Sequence, residues 1–194
     1  NSILLLSMML PSRPGWAQVE EQMHRLDNPM TVRYLKSHLR KKTPRIVLNA
    51  SLERNLRKRL ESDPVVANMY QAIKINARRI QDEPLLERTV RGRRLLRVSR
   101  EMLYRMNMLC MVYRVEKAPV LLQRIDDELT AVCSFSDWNP SHYLDVAEMS
   151  LAVAIALDWA GDDLPRSTVE MAMIALVDKG IKPSYNEKGN TGWI

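Results

Sequence analysis

Trp138, Asn139, Ser141, His142, Asp145 and Glu148 fall within three turns' length of chain, and their types suit recognition of an anion. The pattern around them marks a helix start. Such a start carries four backbone N–H groups without helical partners and the positive end of the helix dipole. That combination favours a carboxylate or sulfate. A tryptophan beside it offers a flat apolar face, and a histidine offers a donor or a proton carrier near neutral pH. Ser141, Asp145 and Glu148 share one helical face, and His142 and Asp145 are neighbours three apart, so Asp145 can orient His142. A purely structural reading uses the same residues: Trp138 plugs the core, while Asp145 and Glu148 compensate the dipole and stiffen the helix start.

The element that must position them is Ser136–Trp159, SDWNPSHYLDVAEMSLAVAIALDW. Asn139 reads as its N-cap and Pro140 as its first helical residue, because proline lacks only an N–H that is orphaned there anyway. Leu144–Leu157 is apolar nearly all round, which predicts a central helix rather than a surface one.

The chain has 194 residues, enough for one ordinary domain with a sizeable core. Its 29 basic and 23 acidic residues leave a net charge of +6, with the excess in 33–59 and 88–105. A basic balance suits anionic partners without choosing among them. One Phe and six Tyr give no aromatic-glycine pattern of an RNA-binding sheet, so an acidic carbohydrate ranks at least level with nucleic acid. Cys110 and Cys133 sit in apolar surroundings and read as buried thiols, with a disulfide between neighbouring helices left open. No zinc pattern occurs and no metal or cofactor is implied.

Residues 1–17 resemble the remnant of a secretory signal: Ile3–Leu10 is a short apolar stretch, and Gly15 and Ala17 take the minus-three and minus-one positions of a cleavage site before Gln18. Export, secreted or periplasmic, is the corresponding expectation. No stretch is long and apolar enough to cross a membrane. Short helices are predicted over Glu20–Leu26 and Val32–Lys41, and an extended segment over Pro44–Leu48. Helices follow at Leu52–Glu61, capped by Asn49 or Ser51, and at Val65–Ile80, opened by Asp63-Pro64. A basic connection, Leu85–Arg94, leads to Leu95–Val115, and Ala118–Phe135 comes next. Arg166–Lys179 is predicted to turn Val169, Met173, Leu176 and Val177 inward, with Gly180 as C-cap and Pro183 as stop. The fold class is all-α, built from antiparallel helical hairpins.

Four segments carry a resemblance: PRIVLNASLERNLRKRLESDP, GRRLLRVSREMLYRMNMLCMVYRV, SDWNPSHYLDVAEMSLAVAIALDW and ALVDKGIKPSY. Together they resemble the N-terminal helical domain of the heparinase II/III-like polysaccharide lyases, over about three quarters of the chain, 44–182. The resemblance implies that 18–194 is the N-terminal portion of an (α/α) toroid, incomplete at its C-terminal end. Family members are exported bacterial enzymes that cleave uronic-acid polysaccharides such as heparin, heparan sulfate or alginate by β-elimination. Their proton-transfer residues lie in segments with no counterpart here, so the chain is expected to be an inactive fragment and no catalytic residue is assigned. By the same resemblance Trp138, Asn139, His142, Asp145 and Glu148 lie at the substrate cleft, and acidic polysaccharide is the partner, with neither nucleic acid nor membrane. The alternative is a stand-alone basic helical module that binds an acidic polysaccharide or another anion. Oligomeric state is open.

Overall fold

The computed structural model describes residues 31–185. The signal-like stretch 1–17 and the helix expected at Glu20–Leu26 lie outside the described residues. The chain divides into two compact units, 1–40 and 41–194. Described residues of the first hold one short helix, α1 (Val32–His38), whose N-cap Thr31 accepts from the Tyr34 N–H. Tyr34 and His38 stack on its surface with ring centroids 3.9 Å apart.

The second unit contains α2 (Ala50–Ser62), α3 (Pro64–Asp82), α4 (Leu96–Glu116), α5 (Pro119–Cys133), α6 (Tyr143–Ala160) and α7 (Arg166–Ala175). A π-helical turn (Leu176–Ile181) and a 3-10 turn (Lys182–Tyr185) follow. No strand occurs among the described residues, only an isolated bridge between Arg91 and Arg94, so the fold is all-α.

Local signals fixed several boundaries. Asn49 caps α2 by accepting from the Ser51 and Leu52 N–H groups. Asp63 caps α3 in the same way, with Pro64 at its first position. The core lies between α4, α5 and α6. Leu95, Met102, Met106 and Leu109 meet Ile125, Leu129 and Val132 from α5 and Val146, Met149, Ala152, Val153 and Ala156 from α6, all essentially inaccessible. Each large side chain so buried contributes about 1.5–3 kcal/mol.

Polar contacts give the directions. Leu95 and Ser99, at the start of α4, touch Asp145 and Glu148 at the start of α6. Arg114, near the end of α4, donates to the Trp159 carbonyl near the end of α6. The two core helices therefore run the same way with their starts together. Against α4, α3 runs oppositely: Tyr70 near its start donates to Glu116, and Arg79 near its end donates to Tyr104.

The structure corrects four local expectations. Pro44–Leu48 is irregular rather than extended. The Arg45 and Ile46 N–H groups both donate to Asp158, the Ile46 carbonyl accepts from Trp159, and Val47 has φ 61°. Tertiary partners take the groups that a strand would pair. Asn139 and Pro140 do not open α6; the helix begins at Tyr143 with His142 in the cap position, because Asn139 has φ 62° and its side chain is committed elsewhere. Along α7 and the turn after it, Val169 and Leu176 pack half-buried against the core as expected, but the buried residues are Thr168, Ala172 and Ala175, whereas Met173 and Val177 are 52% and 41% exposed. The face is rotated by about one residue, and small side chains let α7 approach its neighbours closely.

Gly180 is buried within the π turn instead of capping a helix. A Cβ there would lie 2.6 Å from the Ser150 hydroxyl and 3.5 Å from the Trp138 ring, so glycine is required by close approach to α6. Gly180→Ala should lower stability by about 1–3 kcal/mol, and Ser150→Ala should recover most of that loss. A double-mutant cycle read by urea denaturation checks the coupling.

Cys110 and Cys133 are free buried thiols, so the disulfide left open by the sequence does not form. Burial raises both pKa values, Cys133 to about 11, which leaves them unreactive near neutral pH.

At the far ends of α4 and α6, Glu53 receives hydrogen bonds from Arg57 and Arg114. Burial alone would raise its carboxyl, but the two guanidiniums outweigh it and hold the pKa below the ordinary 4.5. This contribution is complete above 4.5 and is lost as pH falls through the lower folded value. Glu53→Gln should therefore flatten part of the acid limb of a stability-against-pH curve, measured by thermal melts.

Candidate functional site

The cluster singled out in the sequence forms a knot between the starts of α4 and α6. Asp145 is completely buried. Its Oδ2 accepts from the Leu95 N–H at 2.6 Å and from Asn139 Nδ2 at 2.7 Å. Its Oδ1 lies 3.6 Å from Arg94 Nε and 3.5 Å from His142 Nδ1. Leu95 precedes α4 directly, and α4 has no side-chain cap of its own. The carboxylate of α6 therefore serves the free donor of α4, an unsatisfied group that would be costly where it is buried.

Asn139 completes the knot. Its Nδ2 also donates to the Arg93 carbonyl at 2.9 Å, and its Oδ1 accepts from the Ser141 hydroxyl at 2.7 Å. Its backbone N–H donates to Asp137 Oδ1 at 2.7 Å. Asparagine tolerates the left-handed conformation that this bend requires. Glu148, one turn along α6, accepts from the Ser99 hydroxyl at 3.0 Å and from Arg100 Nε at 3.1 Å. Asp145 and Glu148 thus share a face, as their spacing predicted, and that face meets α4.

Trp138 is 0% exposed. Its indole N–H donates to the Val132 carbonyl at 3.0 Å, and its ring lies beneath Gly180. In this structure it presents no face to solvent and occupies the core-plug position. His142 keeps partial access, with its side chain 22% exposed.

No family model and no curated protein matches this chain. The site is therefore read from its own geometry.

Sequence reasoning singled out the knot but not what it holds. The Asn139–Arg93 bond fastens a tight turn, 91–94. Arg91 and Arg94 exchange backbone hydrogen bonds of 2.9 and 3.1 Å across Gly92, whose φ of 60° suits glycine. The turn and the first residues of α4 carry Arg91, Arg93, Arg94, Arg97 and Arg100 at the same end of the helix pair as the knot. Arg100 is paired with Glu148 and Arg94 lies against Asp145, whereas Arg91, Arg93 and Arg97 are exposed and have no ion pair among the described residues. Charge density in 88–105 was visible in the sequence; that the polar knot anchors it was not. Among the described residues no group of His, Cys, Asp and Glu is placed to hold a metal ion, and no helix is long and apolar enough to cross a membrane.

Proposed function

We propose that this chain is the N-terminal helical part of an exported polysaccharide lyase that acts by β-elimination on uronic-acid polysaccharides. The observation that carries the proposal is the pairing of α4 and α6. These two core helices, separated in the chain by α5, run in parallel, start together, and carry an arginine-rich turn at that shared end. With α3 antiparallel to α4, this arrangement supports the reading of an (α/α) toroid, in which parallel inner helices open toward one cleft. The outward apolar stripe Met173, Ile174, Val177 and Ile181 is of the kind that a further helix of a toroid covers. The four sequence segments that resemble the heparinase II/III-like lyases span these same helices.

In β-elimination a base removes the proton at C5 of the uronate, the C4–O bond breaks, and an acid protonates the leaving oxygen as the C4=C5 double bond forms. The negative charge that develops beside the carboxylate must be neutralised, and guanidiniums at a helix-start end suit that role. Asn139 and Asp145 act as positioning residues that fix the arginine turn. His142 and Glu148 are the ionisable cluster members that keep partial access, and no catalytic base is assigned.

Ultraviolet absorbance of the unsaturated uronate tests the proposal, with heparin, heparan sulfate and alginate as substrates. It is run with this chain and with the longest in-frame protein that contains it. Product from the longer protein alone is the expected result. Binding without product from either protein would overturn the lyase reading and favour a basic binding module. Product from the 194-residue chain would overturn its expected inactivity and put His142 and Tyr143 under test.

A further inference from the structure

A cavity of about 630 Å³ opens between the end of α3, the connection 83–91 and the first turns of α4. Its size falls in the ordinary range for small-molecule sites. Arg79, Arg91 and Arg97 line it together with Glu83 and Glu87. Among the described residues, none of these five side chains is ion-paired, while the other two charged lining residues, Glu101 and Arg105, pair with each other; Arg79 donates a hydrogen bond of 3.1 Å to the uncharged Tyr104 hydroxyl. Opposite charges on a pliable surface pair off. Here they line one cavity unpaired, because the backbone on each side is tied down separately.

On one side, Arg91 projects from the turn closed by its exchange with Arg94 and fastened by Asn139. On the other, the buried Arg105 donates to the Pro84 carbonyl at 2.7 Å, and Arg124 donates to the Gln81 and Glu83 carbonyls at 3.1 and 2.7 Å. Both arginines are in turn held by the buried Glu128. The walls are preorganised, which lowers the ordering cost of taking up a ligand.

We propose that this cavity binds one acidic sugar unit, with its sulfate or carboxylate on Arg91 and Arg97 and its hydroxyls on Glu83 and Glu87. Guanidiniums take planar or tetrahedral oxyanions in forked geometry. Carboxylates accept from hydroxyl groups and repel a ligand that is only anionic. The mixed lining therefore selects a hydroxyl-rich acid over a bare polyphosphate backbone. The site takes its ligand class from the acidic-polysaccharide reading and does not depend on the lyase chemistry.

The test is calorimetric titration of the full chain with a heparin tetrasaccharide, an alginate tetrasaccharide, neutral cellotetraose, inorganic sulfate and a single-stranded oligonucleotide at fixed salt. The expected result is binding of at least one acidic tetrasaccharide, weakened about tenfold or more by Arg91→Ala/Arg97→Ala. Glu83→Gln/Glu87→Gln should weaken the acidic tetrasaccharide without weakening sulfate. Arg54→Ala/Lys58→Ala removes the same charge from exposed positions on α2 and should change little. An unchanged affinity in Arg91→Ala/Arg97→Ala, an equal loss in the α2 variant, or equally tight oligonucleotide binding overturns the site assignment. Failure of the wild-type chain to bind any acidic tetrasaccharide overturns the acidic-polysaccharide reading along with it.

Discussion

Asp145→Ala is expected to lower the unfolding free energy by about 3–5 kcal/mol, because each buried donor left without its acceptor costs about 1–3 kcal/mol and two donate to this carboxylate. The side chain is completely inaccessible, and its carboxylate faces groups from two segments, 94–95 and 139–142. The Leu95 N–H and the Asn139 amide lose this acceptor at once, and Arg94 loses a carboxylate 3.6 Å away. The buried N–H at the start of α4 has no other side-chain cap to turn to. Asp145→Asn should fall between wild type and alanine, because its carbonyl can still accept from Leu95 while its NH2 group faces other donors. Urea denaturation followed by circular dichroism gives the answer, and a loss below about 1 kcal/mol would mean that the knot is not what joins α4 to α6.

Glu128→Ala should be comparably severe, also about 3–5 kcal/mol. Glu128 is 0% exposed, and one oxygen accepts from Arg105 Nη1 at 2.6 Å and from Arg124 Nη2 at 2.6 Å. Burial pulls the Arg105 guanidinium down, but Glu101 and Glu128 more than offset this, so the group stays charged. Alanine would leave a buried cation at the centre of α4 and release the strap at Pro84. The double variant Arg105→Met/Glu128→Leu removes both charges and fills the space. It should be less destabilised than Glu128→Ala alone, since the desolvation penalty disappears with the pair. Equal loss in the two variants would place the cost in the Pro84 and Glu101 bonds of Arg105 instead.

These two networks also explain what could and could not be read from the sequence. Caps closed within three residues were legible: Asn49 and Asp63 do what their types and neighbours predict. Asn139 has the same local signature and does something else, because its amide finds Arg93, distant in sequence, and Asp145. Along α7 and the turn after it, Val169 and Leu176 pack inward as their hydropathy predicts, but Met173 and Val177 do not, because close packing selects Ala172 and Ala175 for their size. Pro44–Leu48 has the composition of a strand, but Asp158 takes its donors. The candidate cluster was recognisable from residue types alone. Its purpose depends on an uncapped N–H at Leu95 and on which arginines remain unpaired, and both are properties of helix packing. The one available signal was the one-turn spacing of both pairs, four residues from Leu95 to Ser99 and three from Asp145 to Glu148, which places two acids beside two donors only if the helices run in parallel.

The central claim is that the shared start of α4 and α6 faces the acidic sugar. Backbone hydrogen exchange with and without a heparin hexasaccharide tests it most directly, because it reports position without presupposing activity. The account predicts added protection in 83–97 and 137–145, with little change at the opposite end, 114–118 and 157–165. Protection confined to that opposite end, or none at saturating ligand, would contradict it.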